Sequence, residues 1–214
     1  LGVDRPGDLA YLLAVVPVKV AVTTAVGDLP VHVDFFSGHD AVLAEKAKLP
    51  AAVPASGYAI VNVDDEASAA VFRRAAKGAV LTYGFGSSAD VRASNYGLKA
   101  DGSGVAFKIN HKGATVPVWL PSVYGRQQVY AALAGAAAGI AFGLNLVQIA
   151  EALSRYTPPP GRLRRLSGIK GSWILDDSYN SSPLAALAAL EVLRALPASR
   201  RIAVLGDMLE LGKY

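Results

Sequence analysis

The stretch Tyr58-Ala-Ile-Val-Asn-Val-Asp-Asp-Glu66 carries the two signals that decide the fold. It begins with an apolar run rich in β-branched side chains, a composition typical of a strand buried on both faces. Acidic residues follow, which suit the positive end of a helix, and we predict that they cap a helix over residues 67–76. A buried strand that leads directly into a helix is typical of a parallel α/β sheet.

The same alternation extends to both sides of this stretch. Upstream, the pattern predicts a helix over residues 8–15, a strand over 17–23 and a helix over about 40–53; downstream, it predicts a third strand over 79–83. Parallel strands need helical crossovers, and those helices cover the faces of the sheet. We therefore predict an α/β fold with a mostly parallel sheet and flanking helices.

Residues 90–120 follow a different pattern. Three runs, at 91–98, 104–109 and 115–120, alternate between polar and apolar side chains and are separated by glycine-containing turns. This predicts an antiparallel meander appended to the parallel sheet. The preceding segment Gly84-Phe-Gly-Ser-Ser-Ala89 matches the dinucleotide fingerprint G-x-G-x-x-A, but it opens the meander rather than a helix, so we predict a plain turn.

The segment over residues 129–150 is almost wholly apolar and carries Gly135, Gly139 and Gly143. Small residues at this spacing also occur in transmembrane helices that pair, so a membrane span is one alternative. Asn145 interrupts the run, however, and Gly143 suits the end of one helix and the start of the next. We predict two soluble helices packed closely on the sheet and no insertion into a membrane.

A proline-rich stretch, Tyr156-Thr-Pro-Pro-Pro-Gly161, interrupts the pattern of strands and helices. Consecutive prolines hold the backbone extended and stiff, which is typical of a connection between domains. We place one domain over residues 1–157 and a second over 158–214. The second domain restarts the βαβ pattern, as the beginning of a Rossmann-like α/β domain, with predicted strands over 163–166, 172–175 and 201–205 and a helix over 183–196.

The candidate binding loop of the second domain is Ile174-Leu-Asp-Asp-Ser-Tyr-Asn-Ser-Ser-Pro183. Ile174 and Leu175 read as the end of a buried strand, and Pro183 suits the first turn of a helix. Open α/β sheets hold ligands at the carboxyl ends of their strands, so the polar side chains between them could bind a sugar, a phosphate or a metal-bound water. A plain Asx-turn followed by a helix cap explains the same residues equally well.

The overall composition narrows the classes of function. The chain has 21 basic and 17 acidic residues, a net charge of +4, and the basic residues are mostly dispersed. Such an excess suits an anionic small ligand and does not require nucleic acid. Because there is no cysteine, disulfides, zinc–thiolate sites and thiol nucleophiles are excluded, and a reducing compartment such as the cytoplasm fits.

Two sets of side chains have the chemistry of a phosphate or metal site. Imidazole and carboxylate groups cluster in one segment and suit Mg²⁺, Mn²⁺ or Zn²⁺, although a solvated loop is the simpler interpretation. Arg162, directly after the proline stretch, could clamp a phosphate in a bidentate manner or form a salt bridge. Lys46 by itself reads as a surface lysine. The imidazole and carboxylate cluster that suits a metal consists of His32, Asp34, His39 and Asp40.

Four segments together resemble the ATP-dependent Mur ligases, and most closely the type that adds D-alanyl-D-alanine to UDP-N-acetylmuramoyl-tripeptide. Gly2-Val-Asp-Arg-Pro-Gly-Asp-Leu9 is similar to the family's segment G-x-x-x-P-G-[DE]-[IL]. His32 followed by Lys46 matches the histidine of the family's central domain and the lysine that is carbamylated in many members. Pro160-Gly-Arg162 matches the P-G-R that opens the C-terminal domain. The most specific match is Asp176-Asp-Ser-Tyr-Asn180 with Pro183, together with Val204-Leu-Gly-Asp-Met-Leu-Glu-Leu-Gly212.

The resemblance implies an amide-bond ligase of peptidoglycan precursor synthesis that uses ATP and Mg²⁺ or Mn²⁺. In this family ATP phosphorylates the carboxylate of the UDP-linked peptide, and the amine of D-alanyl-D-alanine attacks the acyl phosphate. The implied roles are a metal site at His32 and a carbamylated Lys46, with Arg162 as a phosphate clamp that completes the catalytic set. The implied nucleotide-binding residues are Gln128, Arg162, Asp177, Ser178, Tyr179 and Asn180.

The sequence also departs from the family pattern. The family's T-N-I-G reads Thr24-Ala-Val-Gly27, and its adenine-side G-x-H-N-x-x-N reads Gly125-Arg-Gln-Gln-Val-Tyr-Ala131, in which Gln128 can replace one amide and Ala131 cannot replace the other. No phosphate-binding loop of the form G-x-x-x-x-G-K-[ST] occurs. We expect a piece of a longer, monomeric enzyme that is inactive by itself. The alternatives are another ligase of the superfamily (the diaminopimelate-adding type, folylpolyglutamate synthetase or cyanophycin synthetase) and a non-catalytic α/β binding module.

Overall fold

The computed structural model of the chain describes residues 2–27 and 33–208. Two short 3₁₀ turns, at Val33–Phe35 and Ile169–Gly171, accompany the helices and strands. In chain order those are α1 (Asp8–Val15), β1 (Val20–Thr23), α2 (His39–Ala51), β2 (Tyr58–Asn62), α3 (Glu66–Ala75), β3 (Ala79–Gly84), β4 (Val91–Leu98), β5 (Gly104–His111), β6 (Ala114–Pro121), α4 (Arg126–Ala141), α5 (Leu146–Ser154), β7 (Arg164–Ser167), β8 (Trp173–Asp176) and α6 (Pro183–Ala195).

Six strands form one sheet in the order β1-β2-β3-β4-β5-β6. The first four pair in parallel, and β3 meets β4 through the pairs Tyr83–Val91 and Gly84–Arg92. The last three form an antiparallel meander. The predicted combination of a parallel sheet with an appended meander is therefore confirmed. β1 is shorter than predicted, since pairing with β2 begins at Val20.

The main core lies between this sheet and α4. Val129 and Leu133 of α4 are fully buried against sheet residues such as Ile60 and Ile109. Alanines fill much of the rest of the buried face, which lets the helix axis approach the strands closely. The apolar segment thus covers a sheet, as the sequence predicted.

That apolar segment forms two helices, α4 and α5. Gly143 between them has a positive φ of 85°, which glycine adopts without a steric penalty. Asn145 caps α5, because its side chain accepts hydrogen bonds from the backbone N–H groups of Val147 and Gln148, each at 3.0 Å. Within residues 2–27 and 33–208, no helix combines the length and apolar character that crossing a bilayer requires.

The second part of the chain departs from the predicted order. β7 and β8 pair antiparallel, with Arg164 opposite Asp176, so the predicted restart of a parallel βαβ pattern is wrong for these strands. The reason is the short turn over residues 168–172, since a parallel return requires a crossover of a dozen residues or more. Ile174 is also 51% exposed rather than buried.

The strand predicted over residues 201–205 is likewise absent from the structure. Ile202 and Val204 are 64% and 92% exposed, and the segment pairs with no strand in the described part of the chain. An apolar run forms a strand only where a neighbouring strand accepts its hydrogen bonds. The apolar pattern of residues 201–205 does not show whether such a neighbouring strand is present.

The two parts meet in a small apolar cluster of Tyr124, Leu163, Val192 and Leu196. The Tyr124 hydroxyl donates to the Gly102 carbonyl at 2.9 Å and accepts from Arg165 Nη1 at 3.3 Å. This cluster, which we call the junction, links the meander to β7 and α6.

Candidate active site

The carboxyl ends of β1, β2 and β3 lie at the same edge of the sheet because the three strands are parallel. Asp65 follows β2 at this edge, and its Oδ2 accepts from the backbone N–H groups of Val26 at 2.6 Å and Gly27 at 3.2 Å. The sequence predicted that Asp65 caps α3. It stands at the N-cap position, but its side chain makes no capping bond there and instead holds the loop after β1.

The preceding residue, Asp64, holds the loop after β3. Its carboxylate accepts from the N–H groups of Phe85 at 2.6 Å and Gly86 at 2.9 Å, and from the Tyr130 hydroxyl at 2.7 Å. A β-carbon on Gly84 would lie 2.7 Å from Asp64 Oδ1, so glycine is needed for this close approach. The interpretation of this segment as a turn is confirmed, because it opens β4.

Tyr130 and Phe85 form an aromatic group beside Asp64. Burial raises the pKa of Tyr130 to about 12, and the Asp64 carboxylate adds to this effect because it accepts a hydrogen bond from the Tyr130 hydroxyl. The Phe85 ring packs edge-to-face on Tyr130, and the Arg126 guanidinium lies 3.9 Å from the Phe85 ring centre. The first turn of α4 is thereby fixed against the loop after β3.

Lys46 lies on α2 beside a cavity of about 110 Å³. The loop after β1 forms one wall of this cavity through Thr24, Ala25 and Val26. Burial lowers the pKa of Lys46, and the Asp4 carboxylate partly opposes this effect. A half-buried lysine whose pKa is lowered suits reaction with CO₂, because only the neutral amine reacts, and the cavity offers room for the resulting carbamate.

Glu45, next to Lys46, connects α2 to the first turn of α1. Its carboxylate is buried and accepts from the Leu9 N–H at 3.1 Å and from Lys48 Nζ at 2.6 Å. Burial acts to raise the pKa of Glu45, but these hydrogen bonds outweigh burial and lower it. The G-x-x-x-P-G-[DE]-[IL] segment is therefore held against the helix that carries Lys46.

The predicted metal cluster is only partly described, since His32 lies outside the described residues. His39 Nε2 lies 2.9 Å from the Gly27 carbonyl, and His39 Nδ1 lies 3.8 Å from Asp40 Oδ1. Among residues 2–27 and 33–208, no three His, Cys, Asp or Glu side chains come together as a metal would require. The metal site at His32 and Lys46 stays a prediction.

The loop over residues 176–183 is bound to the P-G-R turn. Asp176 Oδ2 accepts from the Gly161 N–H at 3.1 Å, and Asp177 Oδ1 accepts from the Leu163 N–H at 2.9 Å. Burial raises the pKa of Asp177. Ser178 Oγ donates to Asp176 Oδ1 at 2.6 Å, while Ser182 caps α6 by accepting from the Ala185 N–H at 3.3 Å. The Ser178 N–H also donates to Asp176 Oδ1 at 3.2 Å, so the Asx-turn and the helix cap of the alternative interpretation are both present.

The Arg162 guanidinium lies 4.4 Å from the ring centre of Tyr179 and is exposed. The backbone carbonyl of Arg162 accepts from Gln128 Nε2 at 3.0 Å, and Gln128 Oε1 accepts from the Tyr156 hydroxyl at 2.9 Å. Both amide atoms of Gln128 are therefore bonded within the chain. Asn180 is exposed, and its Oδ1 accepts from the Ser181 N–H at 2.8 Å.

Two family models match this sequence. Residues 1–139 match the model described as Mur ligase middle domain, and residues 161–214 match the model described as Mur ligase, glutamate ligase domain. The chain belongs to the Mur ligase family.

Several similar proteins within the family add D-alanyl-D-alanine. The UDP-N-acetylmuramoyl-tripeptide–D-alanyl-D-alanine ligase of Mycobacterium leprae is 32% identical over 98% of this chain and 44% of that relative. A crystal structure of MurF from Acinetobacter baumannii has a TM-score of 0.88 and 28% identity, over 100% of this chain and 45% of that one. MurF from Thermotoga maritima in complex with ADP has a TM-score of 0.86 and 25% identity, over 98% and 47%. The chain thus spans less than half the length of these Mur ligases.

Several site contacts of this Mur ligase chain were not predicted from sequence. The hydrogen bonds of Asp64 and Asp65 join residues 21 to 66 positions apart, so no local pattern contains them. Gln127 Oε1 is buried and makes no hydrogen bond to any described residue. Its only signal in the sequence is its place in the altered adenine-side segment.

Proposed function

We propose that the full-length protein containing this chain joins D-alanyl-D-alanine to a UDP-N-acetylmuramoyl-tripeptide, with hydrolysis of ATP to ADP and phosphate. The observation that carries this proposal is the 32% identity to the mycobacterial ligase of that name over nearly the whole chain. The site supports it, because a lysine cavity and an Asp-Asp-Ser-Tyr-Asn loop bound to an exposed arginine suit phosphate chemistry.

In the proposed reaction a carboxylate oxygen of the peptide attacks the γ-phosphorus of ATP, and ADP leaves. The amine of D-alanyl-D-alanine then attacks the acyl carbon, loses a proton and expels phosphate. Arg162 would hold the phosphate oxygens, because a guanidinium offers two parallel donors to them. Asp177, Ser178, Tyr179 and Asn180 would contact the nucleotide, and Gln128 would hold the Arg162 turn beside it.

A carbamate on Lys46, with His32, would supply ligands for Mg²⁺ or Mn²⁺. Such an ion supplies charge neutralisation where carboxylate and phosphate oxygens approach each other. The lowered pKa of Lys46 supports carbamate formation, since only the neutral amine reacts with CO₂. Mass spectrometry of the protein under mild conditions should show the mass of one CO₂ on Lys46, and a Lys46→Met variant should lack it.

We further propose that the ligase is a cytoplasmic monomer. Size-exclusion chromatography with light scattering should give the mass of one chain, and a stable dimer would contradict this part of the proposal.

The substrate class is tested with the full-length protein by measuring ADP release with each substrate omitted in turn. We expect release only when ATP, the UDP-linked tripeptide and D-alanyl-D-alanine are all present. A panel with L-alanine, D-glutamate and diaminopimelate as acceptors distinguishes the other ligases of the superfamily. ADP release with one of these in place of D-alanyl-D-alanine would overturn the proposal, and the isolated 214-residue chain should release none.

A further inference from the structure

Asp65 makes hydrogen bonds that its local position does not explain. It stands at the N-cap of α3, where an aspartate that bonds the first free N–H groups stabilises a helix by about 1 kcal/mol. Its carboxylate makes no such bond and accepts instead from Val26 and Gly27, which are 39 and 38 residues away. A side chain that gives up a local interaction for a distant one indicates a requirement at the distant site.

The loop that Asp65 holds, residues 24–27, lies between three elements of the candidate site. Thr24, Ala25 and Val26 form a wall of the Lys46 cavity. The Gly27 carbonyl lies 2.9 Å from Nε2 of His39, which begins α2, and Lys46 follows about two helical turns later. On its other side Gly27 faces α6, since a β-carbon there would lie 3.8 Å from Leu184 Cδ2.

We propose that Asp65 is a positioning residue of the ligase reaction, because it fixes the loop over residues 24–27 that separates the Lys46 cavity from α6. This inference rests on the proposed function. Asp65 itself does not line the cavity, so it acts through the backbone of the loop. Hydrogen bonds from backbone N–H groups to a carboxylate are about twice as strong as neutral ones, which suits them to holding a loop in one shape.

Asp64 provides a matched control. It is the adjacent residue, is similarly half-buried, and also accepts from two backbone N–H groups of a loop at the same edge of the sheet. Its loop follows β3 and does not line the Lys46 cavity. Asp64→Asn and Asp65→Asn therefore remove the same charge, and each disturbs two hydrogen bonds from backbone N–H groups. Asp64→Asn also disturbs the bond from the Tyr130 hydroxyl, but only Asp65→Asn acts on the cavity wall.

The first readout is the kinetics of the full-length ligase. We expect Asp65→Asn to lower kcat by about 10- to 100-fold, since a displacement of about 1 Å in a reacting group has effects of this size, while the KM for ATP changes less than about threefold. Both variants should lower Tm, and Asp64→Asn should lower kcat clearly less than Asp65→Asn does.

The second readout does not depend on ligation. Lys46 of the resting protein is labelled with an amine-reactive reagent and quantified by peptide mass spectrometry, with the exposed Lys112 on the β5–β6 turn as internal reference. Asp65→Asn and Asp65→Ala should raise the labelling of Lys46 several-fold, because the wall formed by residues 24–26 moves, whereas Asp64→Asn should not. If the alanine variant does not fold, the asparagine variant still gives both readouts.

The outcomes separate the two proposals. A wild-type protein that ligates none of the substrates contradicts the proposed function. An active wild-type protein for which Asp65→Asn keeps its kcat, or loses it only to the same extent as Asp64→Asn, shows that Asp65 is merely structural and overturns this inference.

Discussion

Helices α4 and α6 are both rich in alanine and other apolar residues, yet they differ in how they are covered. Leu133 of α4 is fully buried between the helix and the parallel sheet. Leu184 and Leu187 of α6 are 65% and 62% exposed, and α6 buries mainly the side that carries Val192. The same kind of sequence is thus a core element in one part of the molecule and a half-covered one in the other.

This difference shows where the candidate site obtains its rigidity. The strand-end loops and the Lys46 cavity rest on the six-stranded sheet, whose core is closed by α4. The Arg162 turn and the loop over residues 176–183 rest on the junction and on the hydrogen bonds of Gln128. Substitutions in the two parts should therefore differ in how much they lower the free energy of unfolding and in how many strands they affect.

Truncation of the α4 core should have the largest effect. We expect Leu133→Ala to lower the free energy of unfolding by about 2–5 kcal/mol, because it removes buried apolar surface and leaves a cavity. Leu187→Ala, the matched change on the exposed face of α6, should cost less than about 0.5 kcal/mol. Urea denaturation of both variants checks this, and equal costs would contradict the comparison.

Truncation of the junction should come next. Leu163 is buried although its φ of 52° is unusual for a residue other than glycine, so packing and the Asp177 hydrogen bond hold it in place. We expect Leu163→Ala to cost about 2–3 kcal/mol. Hydrogen exchange should accelerate in β7 and β8 and stay unchanged in β2 and β5. Faster exchange in all four strands would show that the two parts do not differ.

A smaller effect is expected where Gln128 connects α4 to the Arg162 turn. Gln128→Leu keeps the size of the side chain but leaves the Arg162 carbonyl and the Tyr156 hydroxyl without their partner, which should cost about 1–3 kcal/mol. Tyr156→Phe removes only one of the two bonds and should cost about half as much. Thermal unfolding measures both, and a neutral Gln128→Leu variant would show that this connection is unimportant.

The smallest effect should be the pH dependence due to Lys46. Its folded-state pKa is lowered by burial, so the stability it contributes is fully present above the pKa of lysine in the unfolded chain and is lost as pH falls through the folded value. Lys46→Met should therefore be more stable than wild type at pH 7, by less than about 1 kcal/mol because solvent screens a half-buried group. The difference should shrink as pH rises toward about 10.5.

Unfolding is measured in CO₂-free buffer at pH 7 and at several alkaline values. Lys112→Met, at the exposed lysine on the β5–β6 turn, controls for general effects of alkaline pH. A difference between wild type and Lys46→Met that grows with pH would contradict the assignment.

The fold of the first part was largely predictable because its signals are local. The apolar run before Asp64, the alternation over residues 91–120 and the Gly143–Asn145 break each specify an element within a few residues. The second part was predicted less well. The short turn over residues 168–172 makes β7 and β8 antiparallel, and the run at 201–205 has no strand beside it.

The residues of the candidate site are proposed from the sequence, whereas their contacts come only from the structure. Lys46, Arg162 and the Asp176–Asn180 loop follow from a resemblance to the Mur ligases. The hydrogen bonds of Asp65 and Gln128 do not, because they join segments that are distant in sequence and depend on the folded chain. The position of Asp65 before a predicted helix indicated helix capping, but in the structure its side chain bonds to the loop after β1 instead.

The most direct test of the proposed ligase reaction uses a UDP-linked tripeptide with ¹⁸O in the carboxylate that becomes the amide. If that carboxylate attacks ATP, one of its oxygens leaves with the phosphate, so the full-length protein should produce phosphate with one ¹⁸O per amide bond formed. Unlabelled phosphate at the same yield of amide would contradict an acyl phosphate, and no amide with D-alanyl-D-alanine would contradict the proposed ligase.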